Sequence, residues 1–372
     1  MSVPLDRFYN FLSDLCDRDD ILIYRYLPHG SRKVEDCQPI QPLVYGKKTL
    51  ICHDQESLQI SDWTAFAEYF KMYADPPCVL TAVTQTGADL LRPILICHSE
   101  LNSKDLQWLE THKSIGVYYW SHALIALDWF RYAQHDATLN AKQPKFDFLI
   151  YNRAWQGLRE YRLKFTQLLI DNNLYHNSKS WFNAYDNGNH YIDHKFKNKD
   201  LAIDRFDLQQ FFDPTLATSC YSANYDSGDY QQSRIEVVLE TVFDDTKLHL
   251  TEKTLRPIAC KQPFVLVSTP GSLDLLKHYG FRTFDDCWDE TYDKILDPTQ
   301  RMKSIMNVMT TISRMPVHKK QTMLDHAQTI CEHNQQWFFS KDFFNLVCNE
   351  FKQNLSKAVQ KYHDRVMINN GL

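Results

Sequence analysis

The 372-residue sequence has no apolar run that reaches the ~18 residues needed for a membrane-spanning helix. Its first residues, Met1 to Asp6, lack the charged-then-apolar pattern of a secretory signal. Its ten cysteines include no C-x-x-C pair, which in a chain of this size is typical of reduced, packed thiols. These absences predict a soluble, cytoplasmic protein without a membrane partner.

Glycine is also scarce, and the ten glycines form neither G-x-G-x-x-G nor G-x-x-x-x-G-K-[ST]. A dinucleotide dehydrogenase and a P-loop enzyme are therefore not favoured. The only D-x-D triplet, Asp17-Arg18-Asp19, precedes a predicted strand, which favours a solvated helix end over a metal-dependent sugar-nucleotide site. We expect neither a metal nor a cofactor. The net charge of -5 gives no global attraction to nucleic acid, although local basic patches can still bind it.

The composition and length indicate a folded protein of two domains, and the alternation of strands and helices makes it an α/β protein. A hydrophobic content of 44% excludes general disorder, and 372 residues suit two domains of common size. We predict an N-terminal domain over 1–140, a second domain over 145–335 and a C-terminal helix within 336–372 that packs back on the first domain. The mostly polar composition of 134–144, which ends in a proline, predicts a linker between the domains.

Strands and helices alternate along most of the chain. The predicted strands are 21–26, 49–52, 78–83, 93–97, 115–120, 145–151, 235–239 and 263–268. The predicted helices are 4–16, 63–73, 104–111, 123–133, 159–170, a helix starting at 252, 272–278, 298–313, 319–339 and 343–367. The segment 172–232 gives no clear element, and within it 195–199 predicts an exposed loop, with acceptor contact as the alternative.

Polar clusters follow three strands predicted in the first half of the chain. An open α/β sheet gathers such strand ends along one crevice, so these clusters predict a site there. A carboxylate or histidine at this place could remove the proton of an acceptor hydroxyl. Each of these side chains can instead be a helix cap or a buried hydrogen-bond partner. The candidate bases are Asp54, Glu56, Glu100 and His122.

A second candidate site centres on Thr251, Glu252 and Lys253. Apolar residues return at helical spacing after Glu252, so a helix begins there with Thr251 as its N-cap. A lysine so early in a helix is unfavourable unless an anion lies between it and the free N–H groups, and helix starts bind phosphate in this way. Glu252 can then accept ribose hydroxyls while Lys253 contacts a diphosphate. The alternative is a capped helix with an exposed lysine.

Basic residues are concentrated before this motif, with six of them against two acidic residues between Lys142 and Lys164. Asn152 and Arg153 lie at a predicted strand end, and Arg159 and Arg162 lie on the helix that follows. Guanidinium groups at this position can hold a diphosphate. The alternative is an ordinary charged helix surface.

The segment around residue 252 resembles the donor-binding segment of fucosyltransferase-like GT-B glycosyltransferases. The residues that carry this resemblance are Glu240-Thr241, Leu250-Thr251-Glu252-Lys253, Pro257-Ile258-Ala259 and Gln262-Pro263-Phe264-Val265. The resemblance implies two Rossmann-like domains facing a cleft, with C-terminal helices. It also implies that Glu252 holds the ribose and Lys253 the phosphates of a nucleotide-sugar, with Asn152, Arg153, Arg159, Arg162, Glu240 and Thr251 completing the donor site. Gln262 departs from the family, in which an apolar residue tends to precede the proline.

A narrower resemblance, to bacteriophage-encoded relatives of these enzymes, spans most of residues 50–310. Its residues are Asp54-Gln55-Glu56, the segments 98–103, 120–123 and 128–133, and Asp289 to Asp293. Such phage enzymes include DNA-modifying ones that glycosylate hydroxymethylcytosine with glucose or arabinose, in the cytoplasm of the host cell.

We therefore predict a metal-independent glycosyltransferase that uses a nucleotide-sugar, with a UDP-sugar such as UDP-arabinose or UDP-glucose favoured and hydroxymethylcytosine in DNA as the favoured acceptor. Transfer to a glycan or small-molecule hydroxyl is one alternative. A non-catalytic nucleotide-binding module is another. The sequence leaves open the nucleotide base, the oligomeric state and whether the anomeric configuration is inverted.

Overall fold

The computed structural model describes residues 21–26, 37–39, 48–52, 94–112, 116–204, 207–211, 223–244 and 247–369. Contacts divide the chain into two compact units. Unit 1 comprises Met1–Ile125 and Asn345–Leu372, and unit 2 comprises Ala126–Phe344. The limits at 140, 145 and 335 stay predictions.

Unit 1 contains a five-stranded sheet in the order β2-β1-β3-β4-β5. All neighbouring strands are parallel except β2, which pairs antiparallel with β1. The strands are β1 (Ile21–Tyr26), β2 (Cys37–Pro39), β3 (Lys48–Cys52), β4 (Ile94–His98) and β5 (Gly116–Tyr119), and the first two described helices are α1 (Lys104–His112) and α2 (Ala123–Trp129).

The last helix of the chain packs on β5 within unit 1. The Phe351 ring lies 5.7 Å from that of Tyr118, and Asn354 Nδ2 donates a hydrogen bond to the Tyr119 carbonyl at 3.1 Å. Residues 345–369 thereby join the unit that contains the first strands of the chain.

Unit 2 is built on a four-stranded parallel sheet in the order β11-β10-β6-β7. Its two central strands are buried at most positions, as expected for strands covered on both faces. Its strands are β6 (Phe146–Asn152), β7 (Ser178–Phe182), β10 (Ser233–Leu239) and β11 (Phe264–Val267), and a separate hairpin joins β8 (Tyr185–Asp186) to β9 (Asn189–His190).

The remaining described helices of the chain are α3 (Tyr161–Asp171), α4 (Ser227–Gln232), α5 (Glu252–Ala259), α6 (Ser272–His278), α7 (Pro298–Arg314), α8 (Val317–Phe338) and α9 (Lys341–Asn369). None of the described helices is long and apolar enough to cross a membrane.

Most of the predicted elements that fall on described residues are confirmed, with strand ends shifted by no more than two residues. The helix predicted over 123–133 ends early, at Trp129, and a 3-10 turn at Ala133–His135 follows. The strand predicted at 78–83 and the helices at 4–16 and 63–73 lie outside the described residues, as do Asp54 and Glu56.

The segment 172–232 contains an edge strand, a hairpin and a short helix that the sequence did not predict. The edge strand β7 reads Ser-Lys-Ser-Trp-Phe, a polar pattern that does not predict a buried strand, yet all five residues are buried. Its Lys179 is tolerated there because Asp229 of α4 lies 2.7 Å from the ammonium group. The hairpin did have a signal: Asn187-Gly188 is a typical two-residue hairpin turn, and both residues adopt positive φ angles.

A buried polar network fastens α5 to the sheet. Arg256 of α5 lies 2.6 Å from the Glu236 carboxylate of β10, and Tyr230 of α4 donates to the same carboxylate at 2.6 Å. The Arg256 guanidinium also lies 4.2 Å from the centre of the Tyr151 ring on β6. The helix that carries Glu252 and Lys253 therefore has a fixed position on the sheet.

Gln262 lies just before β11, at the amino-terminal edge of the sheet. Its side chain donates to the Ser233 carbonyl at 3.0 Å and accepts a hydrogen bond from Lys142. Burial lowers the pKa of that lysine to about 8. Gln262 thus fastens the segment before β6, at the edge of the sheet opposite to the start of α5.

Candidate functional site

The chain changes direction across the unit 2 sheet between β6 and β10. From β6 the chain continues to β7 on one side, whereas β10 leads to β11 on the other. In open α/β sheets, the crevice beyond the carboxyl ends of two such strands is where ligands bind. The loops after β6 and β10 occupy this place, and their described residues, 153–160, 240–244 and 247–251, include four of the eight residues predicted to bind a donor.

Glu240, at the end of β10, anchors the start of α5. Its carboxylate accepts hydrogen bonds from the Thr251 N–H at 2.9 Å, the Thr251 hydroxyl at 2.8 Å and the Thr254 hydroxyl at 2.5 Å. The N–H of Thr241 donates to it at 3.1 Å. Because this carboxylate is fully buried and serves four protein donors, Glu240 positions the helix start.

The predicted N-cap and helix start are confirmed. Thr251 Oγ1 accepts a hydrogen bond from the Lys253 N–H at 3.3 Å, and α5 begins at Glu252. The Lys253 ammonium turns back and contacts Glu252 Oε1 at 2.8 Å and Thr251 Oγ1 at 3.2 Å. The Glu252 side chain is only 5% exposed and that of Lys253 is 19% exposed. The lysine is thus the more accessible member of a close ion pair.

Arg162 of α3 is an interior residue that ties the two loops together. Its guanidinium donates to the Ala154 carbonyl at 2.7 Å, to the Leu239 carbonyl at 2.6 Å and to the Glu240 carbonyl at 3.0 Å. Burial lowers its pKa from the ordinary value. Tyr161 donates to the same Glu240 carbonyl at 2.5 Å, and burial raises the pKa of this phenol to about 12.

Asn152, at the end of β6, is also buried. Its amide donates to Thr166 Oγ1 at 2.8 Å and to the Arg162 carbonyl at 3.3 Å. Asn152 therefore fixes the helix that follows β6, in the way that Glu240 fixes the helix that follows β10.

Arg153 and Arg159 lie in the loop after β6 and differ from Arg162 in exposure. Arg153 is exposed and Arg159 is half-buried, at the end of the 3-10 turn Gly157–Arg159. These two arginines and Lys253 are the cationic side chains of the predicted donor site that reach the surface. The other predicted donor residues are buried.

Residues 183–204, which we call the insert, are fastened to both loops. The Asp186 carboxylate accepts from the N–H groups of Trp155 and Gln156 at 2.8 and 2.7 Å. Asn198 Nδ2 donates to Asp244, beyond β10, at 3.2 Å. The insert is therefore part of the same edge of the sheet, a position that the sequence alone did not predict.

A second contact fixes the insert through Glu160. This buried carboxylate lies 3.0 Å from His194 Nε2 and accepts from the N–H groups of Lys197 and Asn198 at 2.9 and 2.7 Å. A hollow of about 270 Å³ lies between the insert and the loop after β6. Its lining residues are Gln156, Gly157, Asn189, Asp193, His194 and Lys195. Glu252 and Lys253 do not line this hollow.

In unit 1 the structure brings together two of the three predicted polar clusters. His122 Nε2, after β5, lies 2.9 Å from Ser99 Oγ, after β4. Glu100, the residue after Ser99 in the chain, is buried. The Trp120 ring stacks on the His122 ring, with 5.0 Å between the ring centres. Of the four candidate bases, Glu100 and His122 thus lie at the ends of neighbouring strands.

Among the described residues, no group of three or more His, Cys, Asp or Glu side chains is arranged to hold a metal ion. The four parallel strands with their connecting helices define a mixed α/β protein that is compatible with a Rossmann-like fold. In comparisons with known proteins, the chain matches no family model, no curated protein and no solved structure.

Proposed function

We propose that this chain is a GT-B glycosyltransferase that transfers a sugar from a nucleotide-sugar, with a UDP-sugar favoured, to a hydroxyl acceptor. One observation carries the proposal: Glu240 holds the start of α5 at the strand change-over, beside the loop that carries Arg153 and Arg159. Two arginines on the loop after β6 and Lys253 in the first turn of α5 then flank a typical ligand-binding position of an open α/β sheet.

In the proposed reaction the acceptor oxygen forms a bond to the anomeric carbon while the bond from that carbon to the diphosphate oxygen breaks. The diphosphate leaves with the bonding electron pair. Arg153, Arg159 and Lys253 stabilise the negative charge that develops on it, which is the role of preorganised cations in such transfers. The proton of the acceptor hydroxyl passes to a general base, which is a carboxylate or a histidine.

Glu100 and His122 are the described candidates for that base, with Asp54 and Glu56 as the others. The histidine is supported by its contact with Ser99, because a hydrogen bond to one ring nitrogen fixes the orientation of an imidazole. The favoured acceptor is the hydroxymethyl group of hydroxymethylcytosine in DNA, which rests on the resemblance to phage enzymes.

A thermal-shift and calorimetry screen against UDP, GDP, ADP and their sugar conjugates tests donor binding. We expect one nucleotide family to bind the wild-type chain and Lys253→Ala to weaken that binding at least tenfold, because a hydrogen bond to a charged group contributes about 1.5–3 kcal/mol. Lys303→Ala, which removes an exposed lysine on α7, is the matched control and should bind as wild type. If none of the nucleotides binds, the proposal is wrong.

Mass spectrometry of DNA after incubation with the identified nucleotide-sugar tests the acceptor. Hydroxymethylcytosine DNA should gain the mass of one sugar per modified base, whereas unmodified cytosine DNA should gain none. Donor binding with transfer only to a glycan or a small alcohol would favour the fucosyltransferase-like alternative. Donor binding without transfer to any hydroxyl would indicate a nucleotide-binding module.

A further inference from the structure

We propose that the insert forms the wall that recognises the transferred sugar, with Asn189, Asp193 and Lys195 as its hydrogen-bonding side chains. This inference rests on the proposed function and extends it, because it assigns sugar selection to a segment that the donor-motif resemblance does not include. The motif residues would hold the nucleotide, and the insert would read the sugar attached to it.

The position of the hollow supports this assignment. Gly157, in its lining, belongs to the same 3-10 turn as Arg159, one of the proposed diphosphate ligands. The insert is bonded to the loop after β6 through Asp186 and to the loop after β10 through Asn198. A group attached to a diphosphate at Arg159 therefore has this hollow next to it.

The chemistry of the lining favours a sugar over a nucleobase. Five of the six lining side chains carry amide, carboxylate, imidazole or ammonium groups, and the sixth residue is a glycine. Such side chains donate to and accept from hydroxyl groups, which project around a sugar ring in several directions. A nucleobase needs an aromatic or apolar face on which to stack. The lining offers only the imidazole of His194 for that purpose.

The hollow is formed before any ligand binds, because its two sides are fixed to the protein. The Glu160 carboxylate holds His194 and the N–H groups of Lys197 and Asn198, so the backbone on either side of Lys195 has a defined path. The turn at Asn187-Gly188 fixes the hairpin strand that carries Asn189. A preformed hydrogen-bonding site discriminates better than a flexible one, because less ordering is required on binding.

The test compares the affinity for a nucleoside diphosphate with that for its glucose conjugate, using UDP, GDP or ADP as the screen identifies. Calorimetry on the full chain should show that Asp193→Ala/Lys195→Ala leaves affinity for the free diphosphate unchanged. The measured quantity is the ratio of the affinity for the glucose conjugate to the affinity for the free diphosphate. In this variant the ratio should move toward one by about three- to tenfold for each hydrogen bond lost. A changed sugar preference with unchanged diphosphate affinity is not the result of a merely destabilised fold.

Lys199→Ala/Asp200→Ala is the matched control, because it removes the same pair of charges from exposed positions of the insert outside the hollow. This variant should keep the wild-type preference. If nucleotides bind but both double variants discriminate as wild type does, the inference is overturned while the proposed function stands. If the wild-type chain binds no nucleotide, both fail together.

Discussion

At the carboxyl edge of the four-stranded sheet, a buried layer of polar side chains contrasts with an outer layer of cationic ones. The buried layer consists of Asn152, Arg162, Glu240 and Thr251, and the outer layer consists of Arg153, Arg159 and Lys253. Glu252 lies between the two layers, because it is buried but bonded to the lysine of the outer layer. All eight residues belong to the predicted donor site, yet their surroundings differ.

The comparison shows that the predicted donor site combines two kinds of residue. Residues of the buried layer form their hydrogen bonds within the protein and hold the loops in place, so their replacement should reduce the free energy of unfolding. Residues of the outer layer reach solvent, so their replacement should reduce ligand affinity, and the cost in stability should be smallest for the exposed Arg153. Three of the predictions measure one side of this contrast, and one measures a carboxylate outside both layers. They run from the largest expected change in stability to the smallest.

Replacing Glu240 should have the largest effect. In Glu240→Ala, two threonine hydroxyls and two backbone N–H groups lose their acceptor, and we expect a loss of about 3–5 kcal/mol in the free energy of unfolding. Denaturant titration measures this loss. Glu240→Gln keeps one acceptor oxygen and should lose about 1–3 kcal/mol. A Glu240→Ala variant as stable as wild type would show that the buried layer is not an anchor.

Replacing Arg162 should have the next largest effect. Arg162→Met preserves much of the apolar stem but leaves the carbonyls of Ala154, Leu239 and Glu240 without their guanidinium donor. We expect a loss of about 2–4 kcal/mol, measured by chemical unfolding. Should Arg162→Met instead bind nucleotide poorly while unfolding like wild type, this arginine would belong with the outer layer.

The pH dependence of stability tests a half-buried carboxylate outside both layers, that of Glu290. Burial raises the pKa of Glu290 to about 7, and its Oε1 accepts from the Phe284 N–H at 2.9 Å. The folded state therefore binds more protons than the unfolded state between pH 4.5 and 7, so stability falls as the pH rises through this window. Glu290→Gln cannot ionise and keeps an acceptor oxygen.

We expect Glu290→Gln to be about 1–2 kcal/mol more stable than wild type at pH 8, with the gain shrinking as the pH falls toward 4.5. Thermal unfolding across this pH range provides the measurement. A gain that does not vary with pH would mean that ionisation of Glu290 is not its source.

Replacing Arg153 should change stability least. This arginine is exposed, and surface substitutions usually change the free energy of unfolding by less than about 0.5 kcal/mol. Arg153→Ala should nevertheless bind the donor at least tenfold more weakly, because a charge-assisted bond to phosphate is lost. Arg234→Ala, at the start of β10, supplies a control arginine from the opposite edge. Equal nucleotide affinity in both variants would remove Arg153 from the donor site.

The sequence predicted most of the fold because the relevant signals are local. Strands in unit 2 appear as short apolar runs, and Thr251 before Glu252 marks a helix start whatever lies around it. By the same logic the polar clusters after β4 and β5 could be placed at one edge, and the structure brings His122 to Ser99. The strand β7 was not predicted, because the residue that stabilises its buried lysine, Asp229, lies fifty residues further along the chain.

By itself, the sequence determined the alternation of strands and helices, the cap at Thr251 and the concentration of cations after β6. Only the tertiary structure decided which of the candidate residues are anchors and which face outward, and that the insert borders the same edge. The physical reason is that a capping or periodicity signal is contained within a few neighbouring residues. The state of Glu240 or Arg162, in contrast, depends on donors and acceptors that folding brings together from distant segments.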